Sequence, residues 1–113
     1  MKYLILGVIS ETGQQLRGPD LEAWMTEIMA WYEKQGGSGK LADAGHQLDW
    51  PDKAKTVRAT GVTDGPFMEA KEVLGGYSLL ETDTIDEAVE IAKTWPGVDR
   101  GWMTVEVRPV VEM

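Results

Sequence analysis

The chain has no cysteine, a single histidine, a single phenylalanine and no long apolar run. Without cysteine there are no disulfides, no thiolate nucleophile and no cysteine-held zinc. One histidine cannot build a histidine-cluster metal site. No Ser-His-Asp order, phosphate-cradling glycine loop or dinucleotide fingerprint is present, so no cofactor is expected. No stretch approaches the ~18–20 apolar residues that a membrane span requires. Bases are scarce as well: 11 Lys and Arg stand against 19 Asp and Glu, a net charge of −8. Nucleic-acid binding leans on clusters of Lys and Arg that neutralise phosphates. With none here, neither direct nucleic-acid binding nor membrane association is expected. Glu81, Asp83, Asp86, Glu87 and Glu90 form the densest acidic segment and read as a solvated helix face.

What is present suits one ordinary globular domain over residues 1–113. Hydrophobic residues make up 42% and charged residues 27%. A chain of this length buries roughly 65% of its unfolded surface, enough for a thin core. Residues 1–9 are charged, then apolar. The run is too short for the apolar region of a signal peptide. It reads as a first strand, apolar on both alternating faces and so covered on both sides. The cytoplasm is the expected compartment.

Residues 10–19 are polar and read as a loop. Pro19-Asp20 opens a helix with Leu21, Trp24, Met25, Ile28, Met29 and Tyr32 on one stripe, a core pattern. Gly36-Gly37-Ser38-Gly39 ends it. Residues 40–48 read as a weak strand, Trp50-Pro51-Asp52-Lys53 as a turn, 55–63 as a strand, and 77–81 as another. Thr84 with Glu87 three residues on is a capping box for a second helix. That helix carries Ile85, Ala88, Val89, Ala92 and Trp95 on its apolar stripe and stops at Pro96-Gly97. Residues 102–110 alternate strictly as a last strand. Two helices on one face of a mainly antiparallel sheet make an α+β, ferredoxin-like layer. The other sheet face is half apolar and half polar, with Thr56, Arg58 and Thr60 on one strand and Thr104, Glu106 and Arg108 on another. That composition fits burial against a second copy, with a polar-lined cavity between the two sheets.

Residues 62–77 carry the most specific pattern. Asp64-Gly65-Pro66-Phe67 joins a carboxylate, a permissive glycine and a φ-locked proline to the only Phe. The acid–base cluster Glu69, Lys71 and Glu72 follows, and Gly75-Gly76 closes the short helix that the cluster would form. One reading is a turn leading into a capped helical turn, with Asp64 or Gly65 near the cap and Pro66 at the first helical position. The other is a rigid loop that presents Asp64 and Glu69 to a cleft. Gly65 is expected to need a backbone region closed to other residues.

This stretch, Asp64 to Glu72 followed by Leu74-Gly75-Gly76-Tyr77, resembles the signature of the DGPF family within the YCII-related superfamily. Thr56-Val57-Arg58, Asp86-Glu87-Ala88 and Val105 to Pro109 support it, and together they cover about half of the chain. The resemblance implies a homodimer in which two ferredoxin-like layers form a dimeric α+β barrel. It also implies small-molecule chemistry through a His–Asp pair, one branch resembling a dehydrochlorinase of chlorinated hydroxyquinols. Family members are often encoded near, or fused to, extracytoplasmic-function sigma factors, which implies an accessory or regulatory role as the alternative. The enzyme-like branch carries its His in the first helix, where the matching residues 24–34 have none. Asp64 matches the Asp.

The candidate catalytic residues are therefore Asp64 and His46, the latter as a proton shuttle. Phe67, Glu69, Arg58, Glu106 and Arg108 are the candidate ligand contacts. Arg58 and Arg108, expected on one sheet face, would favour a small anionic or aromatic ligand. Alternatively they pair with Glu106, Asp64 or Glu72 and hold the dimer together.

Overall fold

The structure is a computed structural model that describes residues 1–66 and 71–112. Its order is β1 (Lys2–Ile9), α1 (Glu11–Gln14), α2 (Gly18–Ser38), β2 (Leu41–Gln47), a 3₁₀ turn (Pro51–Lys53), β3 (Lys55–Arg58), β4 (Gly61–Asp64), β5 (Val73–Glu81), α3 (Ile85–Ala92) and β6 (Met103–Pro109). The main sheet is antiparallel with strand order β2-β5-β1-β6. With α2 and α3 as the crossovers, this is the ferredoxin-like α+β arrangement. The layer is thin, with extents of 44 × 42 × 19 Å.

The first strand explains the layering. Tyr3 and Ile5 are buried against the helices, while Leu4, Leu6 and Val8 point the other way and remain half-buried. None of the described residues forms a layer over them. Two-sided apolarity thus marks a strand whose second face is left open among the described residues.

Helix α2 packs Trp24 and Trp31 onto the sheet, and Trp95, beyond the end of α3, joins them. Burying an indole removes roughly 150–250 Å² of surface, or about 4–6 kcal/mol each as an upper bound. Trp31 stacks on Trp95 at 4.8 Å between centroids, with Tyr32 edge-on to both. Trp24 Nε1 donates to the Pro96 carbonyl at 2.7 Å, and Trp31 Nε1 to Thr94 Oγ1 at 2.8 Å. The segment after α3 is therefore tied to α2 on both sides of Trp95. Arg100 strengthens the tie, lying 4.0 Å over the Trp102 ring and pairing with Glu27 at 2.5 Å.

Helix ends follow the sequence cues with one adjustment each. Thr84 caps α3 by accepting from the Glu87 N–H at 3.2 Å, as the capping box requires. The helix ends at Ala92, before Pro96-Gly97, and turns carry the chain through Trp95. In α2, Gly36 and Gly37 stay helical, and only Gly39 forms the cap. The loop of residues 10–19 includes the short helix α1, capped by the Ser10 hydroxyl.

Two strand expectations are overturned. Residues 55–63 are not one strand of the main sheet. They belong to a separate two-stranded hairpin of β3 and β4, turning at Ala59-Thr60, with Lys55 opposite Asp64 and Val57 opposite Val62. The alternation runs through the turn because no Asn-Gly or Asp-Gly pair marks it. Gly75-Gly76 do not stop a helix either: both lie inside β5, at the bulge where its register against β1 shifts.

Gly45 shows how tightly β2 sits on β5. It adopts φ +70° at a register shift between Asp43 and His46, and a Cβ there would lie 1.8 Å from the Tyr77 carbonyl oxygen. Left-handed glycine at a bulge is a designed feature of such strands. Gly45→Ala is expected to lose roughly 1–3 kcal/mol of stability through strain, measured by urea denaturation. An unchanged midpoint and slope would show that the edge strand adapts freely.

Candidate functional site

Two surfaces of the main layer are candidates for a partner or ligand, and the paired strands define both. On the open face, His46 is opposite Tyr77, Tyr77 opposite Leu6, and Leu6 opposite Glu106. These four side chains form one row across all four strands. The next row holds Asp43, Leu79, Leu4 and Arg108. The face is apolar in its centre, with charge along the β6 edge. His46 is exposed, with its ring 6.0 Å from that of Tyr77. Glu106 and Arg108 form an ion pair at 2.6 Å. With strands spaced by ~4.8 Å, His46 and Glu106 stand roughly 14 Å apart.

The remaining expected site residues lie elsewhere. Asp64 ends β4 on the hairpin, its side chain 83% exposed and ion-paired with Lys55. It is the last residue of a strand, and the helical turn that it was expected to cap falls on residues that include some outside those described. Arg58 is on the same hairpin, where its guanidinium donates to the Thr63 hydroxyl at 3.3 Å. Arg58 and Arg108 therefore belong to different sheets, and the expectation of a shared face fails. His46 and Asp64 likewise lie in different sheets. Of the two readings of Arg108, the ion pair to Glu106 is the one the geometry displays. Gly65 has φ +93°, the region closed to other residues, as its sequence context implies. Phe67 and Glu69 lie outside the described residues.

On the helix side of the sheet is a cavity of about 110 Å³. Its roof is α2, through Trp24, Met25, Ile28 and Tyr32. Its floor is the bare backbone of Gly75 and Gly76, and Trp95 and Met103 close one side. The floor is low because Gly76 pairs with Gly7 across the β1–β5 ladder, leaving no side chain on either strand. A more open hollow of about 290 Å³ adjoins it, shares Ile9, Gln47, Trp50 and Gly75 with it, and leads to solvent beside Leu48 and Asp49. Trp50, 47% exposed, stands at this mouth.

The cavity's electrostatics are simple. Among the described residues that line it, Tyr32 is the single titratable group and none carries a formal charge. The Tyr32 hydroxyl lies 3.2 Å from Ser78 Oγ, and Ser78 donates to the Ala44 carbonyl at 2.7 Å. Burial pushes the Tyr32 phenol above its ordinary value, opposed in part by the Ser78 contact. Trp95, 4% exposed, has an indole N–H with no acceptor among the described residues. The sequence hides this site. Trp24, Met25, Ile28, Tyr32 and Trp95 all sit on apolar stripes, which look alike over a filled sheet or a bare one. The available signal was glycine on facing strands, at Gly7 and Gly76.

A split βαββαβ layer with one open sheet face and an apolar helix–sheet cavity defines a small ferredoxin-like α+β domain. The chain belongs to the family described as the YCII-related domain, which matches it over residues 1–113. An uncharacterised protein of Rhizobium meliloti (strain 1021) is 30% identical over 92 residues, covering 79% of this chain and 74% of the relative. Among solved structures, a similar one is the 5-chloro-2-hydroxyhydroquinone dehydrochlorinase TftG from Burkholderia phenoliruptrix AC1100, in complex with 2,5-dihydroxybenzoquinone. The two superpose with a TM-score of 0.53 at 17% identity, over 100% of this chain and 96% of the other. At that identity the likeness concerns the fold.

The raised phenol of Tyr32 gives a pH dependence with a definite sign. The unfolded chain ionises its tyrosines near pH 10, whereas folded Tyr32 holds its proton longer. The resulting stability is fully present below pH ~10 and is lost as pH rises through the folded value. Tyr32→Phe is expected to flatten the fall in stability above pH 10, measured by urea denaturation across pH 9–11. Parallel curves for wild type and variant would remove Tyr32 from the account.

Proposed function

We propose that this chain is a small-molecule-binding protein or enzyme of the DGPF branch, working as a homodimer, with its ligand held in the cavity under α2. The cavity is the observation that carries the reading. It is apolar, bounded by the helix, the sheet and the segment after α3, and connected to solvent at one mouth. An enclosed apolar space with few polar groups is the usual form of a small-ligand site. The segment where the enzyme-like branch carries its helical histidine, residues 24–34, is the roof of this cavity. The dehydrochlorinase of similar fold, held with a quinone, supports a small cyclic ligand.

The dimer in this reading forms through the open sheet face, where Leu4, Leu6, Val8 and Leu79 lie uncovered, and so makes the α+β barrel. The Glu106–Arg108 pair flanks that apolar centre. Such a pairing buries more than ~1,000 Å². Acid–base catalysis by His46 with Asp64 has no support in the geometry. A chemical step in the cavity has Tyr32 as its proton-bearing group.

A second reading, an accessory protein linked to sigma-factor systems, draws on the hairpin. Val57 and Val62 face each other there at 77% and 64% exposure, an apolar spot suited to a macromolecular partner.

Thermal-shift screening with small cyclic compounds, on wild type and on Met25→Trp, tests the first reading. Met25→Trp fills the cavity from its roof. A ligand is expected to raise the melting temperature of wild type by several degrees and to leave Met25→Trp unmoved. Equal stabilisation of both would place the site elsewhere. Light scattering is expected to give twice the 12.5 kDa chain mass. A stable monomer at micromolar concentration would remove the barrel.

A further inference from the structure

The main sheet ends at β6 in a row of unpaired backbone. The bonds between β6 and β1 run through even positions: the Ser10 N–H donates to the Trp102 carbonyl at 2.9 Å, and the Val110 N–H to the Lys2 carbonyl at 3.0 Å. In an antiparallel ladder, alternate residues exchange both bonds with the same neighbour. Met103, Val105 and Val107 therefore turn their N–H and C=O groups outward, and Pro109 turns out a carbonyl alone. Among the described residues no strand lies beyond β6, and no hydrogen bond from another element reaches these groups. Such a row is a template for another strand. Its flank is open as well. A hollow of about 560 Å³ runs beside β6, lined by Val89 and Ala92 of α3, by Val98, and by Val105 and Val107. On the opposite side of the strand, Thr104, Glu106 and Arg108 are exposed, and the charges of the last two cancel.

We infer that β6 pairs antiparallel with β6 of a second copy of this chain, about a two-fold axis through Val107. The contact is separate from the face pairing proposed above and joins the two main sheets edge to edge. The registers that pair both valines within the strand are centred on Val105, Glu106 or Val107. Centred on Glu106, the two carboxylates oppose each other in the closer, non-hydrogen-bonded pair, which is unfavourable. Centred on Val105, Glu106 faces Thr104 and no charge meets its opposite, while Pro109 runs against the turn that ends at Gly101. Centred on Val107, Glu106 faces the partner's Arg108, and Arg108 faces the partner's Glu106. The local Glu106–Arg108 pair at 2.6 Å then becomes half of a ring of alternating charge. The Val107 residues exchange both of their bonds, and each Val105 N–H meets the partner's Pro109 carbonyl. Val111, 79% exposed, extends toward the partner's Met103. Proline is confined to edge strands because it cannot donate, and in this register it only accepts. A single strand pair is a small interface, under ~1,000 Å², so the contact is weak and concentration-dependent.

The chain has no cysteine, so a single introduced one reports only on its counterpart in another copy. Val105→Cys, Glu106→Cys and Val107→Cys are compared for disulfide-linked dimer under mild oxidation at high protein concentration. In this register the paired Cα atoms stand roughly 5.5 Å apart at 107, about 8 Å at 106 and about 14 Å at 105, and a disulfide needs less than about 7 Å. Val107→Cys is expected to cross-link, and the other two to stay single chains on a denaturing gel. Adding Arg108→Glu to Val107→Cys sets carboxylate against carboxylate and is expected to cut the yield several-fold. Adding Glu106→Arg as well restores opposite charges and is expected to recover it. Face-to-face packing of the sheets does not give this pattern, because Val107 sits on the helix side with Ile5. Sedimentation of wild type over a concentration series needs no variant, and its mass is expected to rise above the micromolar value. Cross-linking strongest at 105 or 106, cross-linking indifferent to Arg108→Glu, or a mass that stays constant up to millimolar protein overturns the edge pairing and leaves the cavity and face readings untouched.

Discussion

The glycine pair across β1 and β5 decides the interior of this domain. Where Gly7 faces Gly76, the sheet offers only backbone to the helices. Met103 and Trp95 move into part of the gap: a Cβ on Gly7 would stand 2.7 Å from the Met103 methyl carbon. The remainder of the gap stays empty as the cavity floor. A Cβ on Gly7 would collide with Met103, and one on Gly76 would press on the His46 carbonyl oxygen at 3.1 Å. Thus the ladder register, the seating of Trp95 and the existence of a cavity are consequences of one local choice. A thin layer has few side chains to spend on its core, which makes the space deliberate in physical terms: it forgoes contacts that the fold could otherwise have made.

The two uncovered surfaces differ in character. The helix-side cavity is narrow, apolar and uncharged, suited to something small. The open sheet face is broad, with half-buried leucines at its centre and an ion pair at its β6 edge, suited to another protein surface. Its exposed charges are satisfied locally, Arg108 by Glu106, so they do not wait for a ligand. The hairpin of β3 and β4 is a separate two-stranded sheet. Its own ion pair, Lys55 with Asp64, and the Thr56 hydroxyl donating to the Gly65 carbonyl at 2.8 Å keep it ordered at its base.

Sequence periodicity made the βαββαβ order legible, although Met29 of the expected α2 stripe is 69% exposed and Trp31, outside that stripe, is buried. Lys2–Ile9, the opening of α2 at Gly18-Pro19, the Thr84 cap and the alternation of Met103, Val105 and Val107 all read directly. The hairpin did not, since Ala59-Thr60-Gly61 lacks a strong turn dipeptide and the alternation of Thr56, Arg58 and Thr60 passes through it. Gly75-Gly76 misled for the opposite reason. Paired glycines usually punctuate, and only the register against Gly7 shows that here they extend a strand. The candidate site was legible only in fragments. His46, Glu106 and Arg108 do share a face, but Asp64 and Arg58 are on the hairpin, and the cavity residues were assigned to the core because a stripe does not reveal what lies beneath it.

The two glycines retained in the last turn of α2 give that helix two different lifetimes. Gly36 and Gly37 meet nothing beyond the helix itself, and each costs a helix roughly 1 kcal/mol relative to alanine. Only Ser38, donating to the Gln35 carbonyl at 2.7 Å, stitches the turn shut. One turn upstream, Trp31 is locked in the aromatic cluster. Backbone amides near residue 38 therefore exchange with solvent through brief local opening, while those around Trp31 wait for the whole domain to unfold. Because β2 begins three residues after Ser38, each opening also slackens the tether of the sheet's edge strand. The rim of the domain is then renewed many times within the life of its core.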